Sequence, residues 1–173
     1  MLMVQRVVHL APGASGGIDS ISPYVRGLEA RGIPAETVQL PKGTAERALP
    51  AYRAAFSAGR AGVIGGQSFG GRVASLLAAE VDVAGLVLIC YPLHAPGAVD
   101  RWDQRTEHWP RIACPVLLLS GDRDPFARIG LLRQAVVRLV NAELHVYPGV
   151  GHGLRPVLDD AVDHIVSFVR SLS

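Results

Sequence analysis

Short, β-branched apolar runs alternate with longer amphipathic ones along nearly the whole chain, and this rhythm restricts the fold more than any other feature. Val4–Leu10, Ala35–Leu40, Gly62–Gly66, Val83–Tyr91, Pro115–Ser120 and Glu143–Tyr147 read as strands. Helices are expected near Ser22–Arg31 and over Thr44–Ala58, Phe69–Glu80, Ile129–Leu139 and Pro156–Leu172. Repeated strand–helix–strand order predicts a parallel sheet with helices on both faces. Such a sheet needs apolar residues on both sides of each strand, and hydrophobic residues make up 49% of the 173, against 18% charged. Only Pro92–Ala113, rich in Pro and Trp, breaks the rhythm, as a loop or small cap. With no repeat and no linker, residues 1–173 are read as one three-layer α/β domain of about six mostly parallel strands.

Several function classes fall away on charge and spacing. A net charge of +2, with scattered Arg residues, gives no nucleic-acid footprint. No histidine pair has metal-ligand spacing such as HxxxH, and no metal is expected. Gly13-x-x-Gly16-Gly17 fits neither a dinucleotide fingerprint nor a P-loop, so no cofactor is expected. The opening stretch MLMVQRVVHLAPGA reads as a strand rather than a signal peptide. No apolar run approaches the roughly 18 residues of a bilayer span, so no membrane partner is expected. Cys90 and Cys114 fall at opposite ends of the predicted sheet and read as free thiols, which points to a reducing cytoplasm.

Chemistry concentrates in GGQSFGG, residues 65–71. Gly66-Gln67-Ser68-Phe69-Gly70 matches G-x-S-x-G between a predicted strand and a predicted helix, the context a nucleophile elbow requires. A serine held in so sharp a turn needs small neighbours two positions away, and Gly66 and Gly70 supply them. An N-capping serine after a flexible turn would use the same residues. Serine also needs a base, and the base an orienting acid. In open α/β sheets these must come from loops at the carboxyl ends of strands. Gly121-Asp122-Arg123-Asp124-Pro125 follows the fifth strand, and Gly149-Val150-Gly151-His152-Gly153 the sixth. His152 between two glycines is the candidate base. His9 and His145 lie in strands, His164 on a helix face, and His108 in the irregular segment. The residues leave Asp122 and Asp124 both open as the acid, since Asp124-Pro125 also reads as a helix start.

The stretches GQSFGGRVAS (66–75), GLVLICYPLHAPG (85–97), PVLLLSGDRDPF (115–126) and GVGHGL (149–154) resemble the α/β-hydrolase superfamily, in particular its small dienelactone-hydrolase-like and testis-expressed-protein-like branch. The resemblance implies a minimal α/β-hydrolase fold with little or no cap. The acid of such families falls in a G-x-x-D pattern, which maps to Gly121 and Asp124. Relatives carry a His-Gly pair after the first core strand, where backbone amides help to form an oxyanion hole; here Pro12 stands in the histidine's place, before Gly13. The hole would then use the amides of Phe69 and Ala14. Dienelactone hydrolases proper use cysteine at the elbow, so Ser68 argues against that chemistry.

A Ser68–His152–Asp124 triad cleaving a small ester or acyl substrate is therefore the expected function. The short Pro92–Ala113 segment leaves little material for a large lid. Tyr91, His94 and Trp102 are candidates to line the site, with packing as their competing role. A binding or scaffold protein that keeps the fold without turnover is the alternative, because fold does not dictate function. Nothing in the residues speaks to oligomeric state.

Overall fold

A computed structural model describes residues 6–57 and 62–173. Six strands form one sheet: β1 (Val8–Ala11), β2 (Ala35–Thr37), β3 (Val63–Gln67), β4 (Gly85–Ile89), β5 (Val116–Gly121) and β6 (Ala142–Tyr147). All pairings are parallel and the order is β2-β1-β3-β4-β5-β6. Helices α1 (Ser22–Glu29) and α5 (Leu158–Ser171) share one face. Helices α2 (Ala45–Ser57), α3 (Phe69–Ala78) and α4 (Ile129–Val136) share the other. The expected start of the first strand at Val4 and end of the second helix at Ala58 lie outside the described residues. β2 and β4 are shorter than their expected runs, β3 and β5 keep the expected length shifted by one residue, and β6 begins one residue earlier.

The two faces explain the continuous apolar runs. On β4, Val87 and Ile89 enter the α1/α5 core, whereas Leu86 and Leu88 enter the α2/α3/α4 core. On β5, Leu117 and Leu119 alternate with Val116 and Leu118 in the same way. Each of these side chains is almost wholly removed from water, worth about 1.5–3 kcal/mol apiece. Tyr52 of α2 adds a polar fastening to this packing. Its buried hydroxyl accepts the Gly65 N–H at 3.0 Å and faces the carbonyls of His9 and Gly65 at 2.9 and 2.6 Å.

Strand order places the chain's reversal of direction between β1 and β3, since β2 lies on one side of β1 and β3 on the other. The crevice at such a switch point is where open α/β sheets bind ligands. The loops after β1 and β3, carrying Pro12–Gly17 and Ser68, flank it. Among the described residues no helix is long and apolar enough to cross a membrane.

Pro92–Ala113 is a packed loop with short 3-10 turns at Val99–Arg101 and Trp109–Arg111. Ser75 Oγ of α3 lies 2.8 Å from His108 Nε2, and the Tyr91 hydroxyl donates to the Arg105 carbonyl. Trp109 packs edge-on to Tyr91, and Arg138 lies over Trp102 at 4.5 Å. Tyr91, only 1% exposed, is thereby a core residue rather than a wall of the site, which corrects the expectation drawn from its position after β4.

His108 makes this fastening pH-dependent. Burial, with Arg72 and Arg111 adding to it, pushes its pKa down from 6.5 to about 4. Between those values the unfolded chain binds the proton and the folded chain does not. The contribution of His108 to stability is thus complete above pH 6.5 and is lost as pH falls toward 4. Denaturant titrations from pH 7 to 4 should show a loss on the order of 2–3 kcal/mol that His108→Gln removes from the profile.

Candidate active site

The site is built on the close approach of two backbones. Ser68 follows β3 and caps α3 with φ 50 and ψ −117, a left-handed conformation that costs a non-glycine residue about 1–3 kcal/mol. Its N–H donates to the Ile89 carbonyl at 2.8 Å, which ties the bend to β4. A Cβ on Gly66 would stand 2.5 Å from the Ala11 carbonyl oxygen and 2.8 Å from the Gly71 nitrogen. One on Gly70 would run into the Ala11 carbonyl and come within 2.6 Å of the Pro12 oxygen. The end of β1 therefore rests directly on the elbow, and both positions exclude any side chain.

The loops after β5 and β6 are joined to each other in the same manner. Arg123 N–H donates to the Val150 carbonyl at 3.0 Å, and Asp122 Oδ1 accepts the Gly149 N–H at 2.7 Å. A Cβ on Gly121 would collide with the Val150 carbonyl. Asp122 thus shapes the turn that carries the histidine but does not touch its ring.

Asp124 does. Its side chain is fully buried; Oδ1 accepts the Phe126 N–H at 2.8 Å and Oδ2 lies 2.8 Å from His152 Nδ1. An ionised carboxylate only accepts, so Nδ1 carries the ring proton and Nε2 presents a lone pair. His152 Nε2 faces Ser68 Oγ at 3.0 Å. Phe126 stacks beside the imidazole, with ring centroids 4.5 Å apart. The helix start that Asp124-Pro125 suggests is absent: α4 begins only at Ile129, with Arg128 at its cap.

The other candidates are distributed as follows. Ala14 and Phe69 line one cavity of about 440 Å³ together with Gly13, Leu40 and Lys42. Neither the Ala14 nor the Phe69 N–H has an acceptor among the described residues. A Cβ on Gly13 would lie 3.7 Å from that of Ser68, so the loop after Pro12 runs alongside the hydroxyl. His94 is buried with both ring nitrogens engaged. Nε2 accepts the Arg128 N–H at 3.0 Å, so Nδ1 carries the proton and donates to the Ala95 carbonyl at 2.9 Å. As a result it braces two loops and has no free polar atom for a substrate.

Sequence reasoning read Cys90 as a free thiol but gave it no place at the site. It is fully buried, has φ 51, and its Sγ accepts the Gly153 N–H at 3.3 Å beneath the histidine loop. Burial pushes its thiol up to about 12. Nothing about a cysteine at a strand end announces a left-handed backbone. Cys90 and Cys114 are both free thiols.

With this geometry in view, comparison with known proteins places the chain. The alpha/beta hydrolase domain family matches residues 29–168, and the chain belongs to that family. A non-heme haloperoxidase of Rhodococcus erythropolis is 38% identical over 68 residues, covering 38% of this chain and 25% of that protein. The chain thus spans well under two thirds of that relative. Among solved structures, a Paleococcus ferrophilus monoacylglycerol lipase superposes with a TM-score of 0.84 at 15% identity, over 96% of this chain and 95% of the lipase. Est1E from Butyrivibrio proteoclasticus, a structure with bound ferulic acid, superposes with 0.81 at 14% identity, over 96% and 89%. At these identities the likeness is one of fold.

Steric exclusion at the elbow leads to a direct test. Gly70→Ala should destabilise the protein by about 1–3 kcal/mol in chemical denaturation, because its methyl group meets carbonyl oxygens that cannot yield without moving β1.

Proposed function

We propose that the protein is a serine hydrolase that cleaves a small ester or thioester through an acyl-enzyme. The observation that carries this reading is the unbroken line of hydrogen bonds from Ser68 Oγ through His152 to Asp124, with the imidazole tautomer set by the buried carboxylate. Membership of the alpha/beta hydrolase family supports it.

In this mechanism Ser68 Oγ attacks the acyl carbon while His152 Nε2 takes its proton. Negative charge gathers on the carbonyl oxygen, which the N–H groups of Phe69 and Ala14 receive. Each such donor is worth about 3 kcal/mol of transition-state stabilisation. The positive end of α3 reinforces them. His152 then passes the proton to the departing alcohol or thiol. Water, activated by the same imidazole, attacks the acyl-enzyme; acid and free Ser68 result. Asp124 keeps the ring oriented and stabilises its protonated form throughout.

Incubation with a fluorophosphonate probe should label the protein, and Ser68→Ala should abolish the label. Absence of Ser68-dependent labelling would turn the reading to a non-catalytic binding protein. The two acids separate as well. Asp124→Asn should lower kcat by about 10²–10⁴, since it removes the partner of Nδ1–H, whereas Asp122→Asn should cost less than about tenfold. Hydrolysis of short 4-nitrophenyl esters measures both.

A further inference from the structure

A second group of coordinating side chains sits at the edge strand β6, two strands beyond the one that ends at Ser68's neighbour β4. His145 and Tyr147 of β6 share the face that α5 covers, since alternate residues of a strand point the same way. Asp160 and His164 are one turn apart on α5 and project from the same side of it. His145 Nε2 lies 3.9 Å from Asp160 Oδ2, and His164 Nδ1 lies 3.3 Å from the same oxygen. One ligand atom from each of the three falls within 4.8 Å of the other two. The two imidazoles lie almost face to face, with ring centroids 3.9 Å apart. Among the described residues Arg31 is held by Asp159 and Asp163, whereas Asp160 pairs with no Arg or Lys and only with the two histidines. Spacing along the chain conceals this set, because one member comes from a strand and two from a helix.

Two imidazole nitrogens and one carboxylate oxygen suit a borderline ion such as Zn²⁺, whereas Ca²⁺ and Mg²⁺ favour all-oxygen shells. Ligand atoms at roughly 2.0–2.1 Å around a tetrahedral zinc stand about 3.3–3.4 Å apart. The Asp160–His164 edge already has that length, and the Asp160–His145 edge needs to close by about 0.5 Å. Asp160 can make this adjustment, because its side chain is exposed and the imidazoles are more covered. His164 Nδ1 donates to the Asp160 carbonyl at 2.9 Å; ligation through Nδ1 uses the other tautomer, with the ring proton on Nε2. The Tyr147 hydroxyl, 3.5 Å from His164 Nδ1, is an outer group placed to orient the ligands. We propose that His145, Asp160 and His164 bind Zn²⁺ or a similar divalent transition-metal ion, with water in the fourth position. The ion ties α5 to the edge of the sheet. The segment between β6 and α5 carries His152, so both ends of that loop are fastened by one bound ion.

Titration calorimetry of the full chain, without a histidine tag and stripped by a chelator, provides the test. One Zn²⁺ should bind per chain, and excess Mg²⁺ or Ca²⁺ should not displace it. His145→Gln, Asp160→Asn and His164→Gln should each weaken binding at least about tenfold. The Tm should rise with Zn²⁺ concentration in the unsubstituted protein and stay level in these variants. Cys90, Asp124 and His152 also lie within ligand distance of one another, so His152→Gln is the control, and binding should survive it. Co²⁺ gives a second readout: the bands of a four-coordinate ion with no thiolate charge-transfer band. Asp160 is exposed, so Asp160→Asn keeps the test valid if a histidine variant fails to fold. Absence of Zn²⁺ binding would overturn the proposal. So would a thiolate band, or binding that is lost in His152→Gln and kept in the other three variants.

Discussion

Contact between the end of β1 and the first turn of α3 governs the rest of the molecule. Carbonyl oxygens of Ala11 and Pro12 occupy the space where side chains at positions 66 and 70 would project. This approach forces the bend at Ser68, and the Ser68–Ile89 hydrogen bond holds it there at φ 50. The same contact draws the loop after Pro12 alongside the serine, so that Ser68 and the Ala14 amide are positioned by one packing event. Below it, Tyr52 fastens the Gly65 backbone, and the sheet cannot relax the bend by sliding β3. Strain of this kind persists only where the surroundings over-determine it. Here the surroundings are two buried parallel strands and a helix.

A second backbone-to-backbone junction, between the loops after β5 and β6, performs the matching task for Asp124 and His152. Gly121 against the Val150 carbonyl, Arg123 N–H on the same residue and Asp122 on Gly149 make the two loops one unit. Asp124 and His152 are set on that unit 2.8 Å apart. A fully buried carboxylate needs compensation, which the Phe126 N–H and the imidazole provide. Cys90, in a left-handed conformation at the end of β4, supports the underside of the unit by accepting the Gly153 N–H. The conformational cost of Cys90 and that of Ser68 thus both sit at the carboxyl edge of the central strands, where the site is assembled.

The segment after β4 gives this rim its character. It is too short and too firmly packed to act as a large lid, with His108 on Ser75, Tyr91 on the Arg105 carbonyl and Arg138 over Trp102. What it contributes is charge: Arg101 and Arg105 face Arg72 of α3 across a shared cavity.

Much of this was legible in the residues. Alternating short and long apolar segments dictate a parallel sheet covered on both faces, because only such a sheet needs apolar side chains on both sides of each strand. G-x-S-x-G between a strand and a helix, followed by acidic and histidine-bearing loops, points to Ser68, His152 and one of Asp122 and Asp124 as candidates, since all lie just beyond the carboxyl ends of strands. Choice between Asp122 and Asp124 depended on likeness to a family, as spacing of two residues in a loop carries no direction. Tyr91 and His94 show why the rest was hidden. Residues after a strand may turn toward the site or into the core, and the packing of Trp109 and the backbone of Arg128 decided it. The left-handed turn at Cys90 and the gathering of Arg72, Arg101 and Arg105 are likewise products of tertiary contact. Local sequence determines which face and which loop a residue joins; only long-range packing determines what stands opposite it, because that distance is closed by strands far apart in the chain.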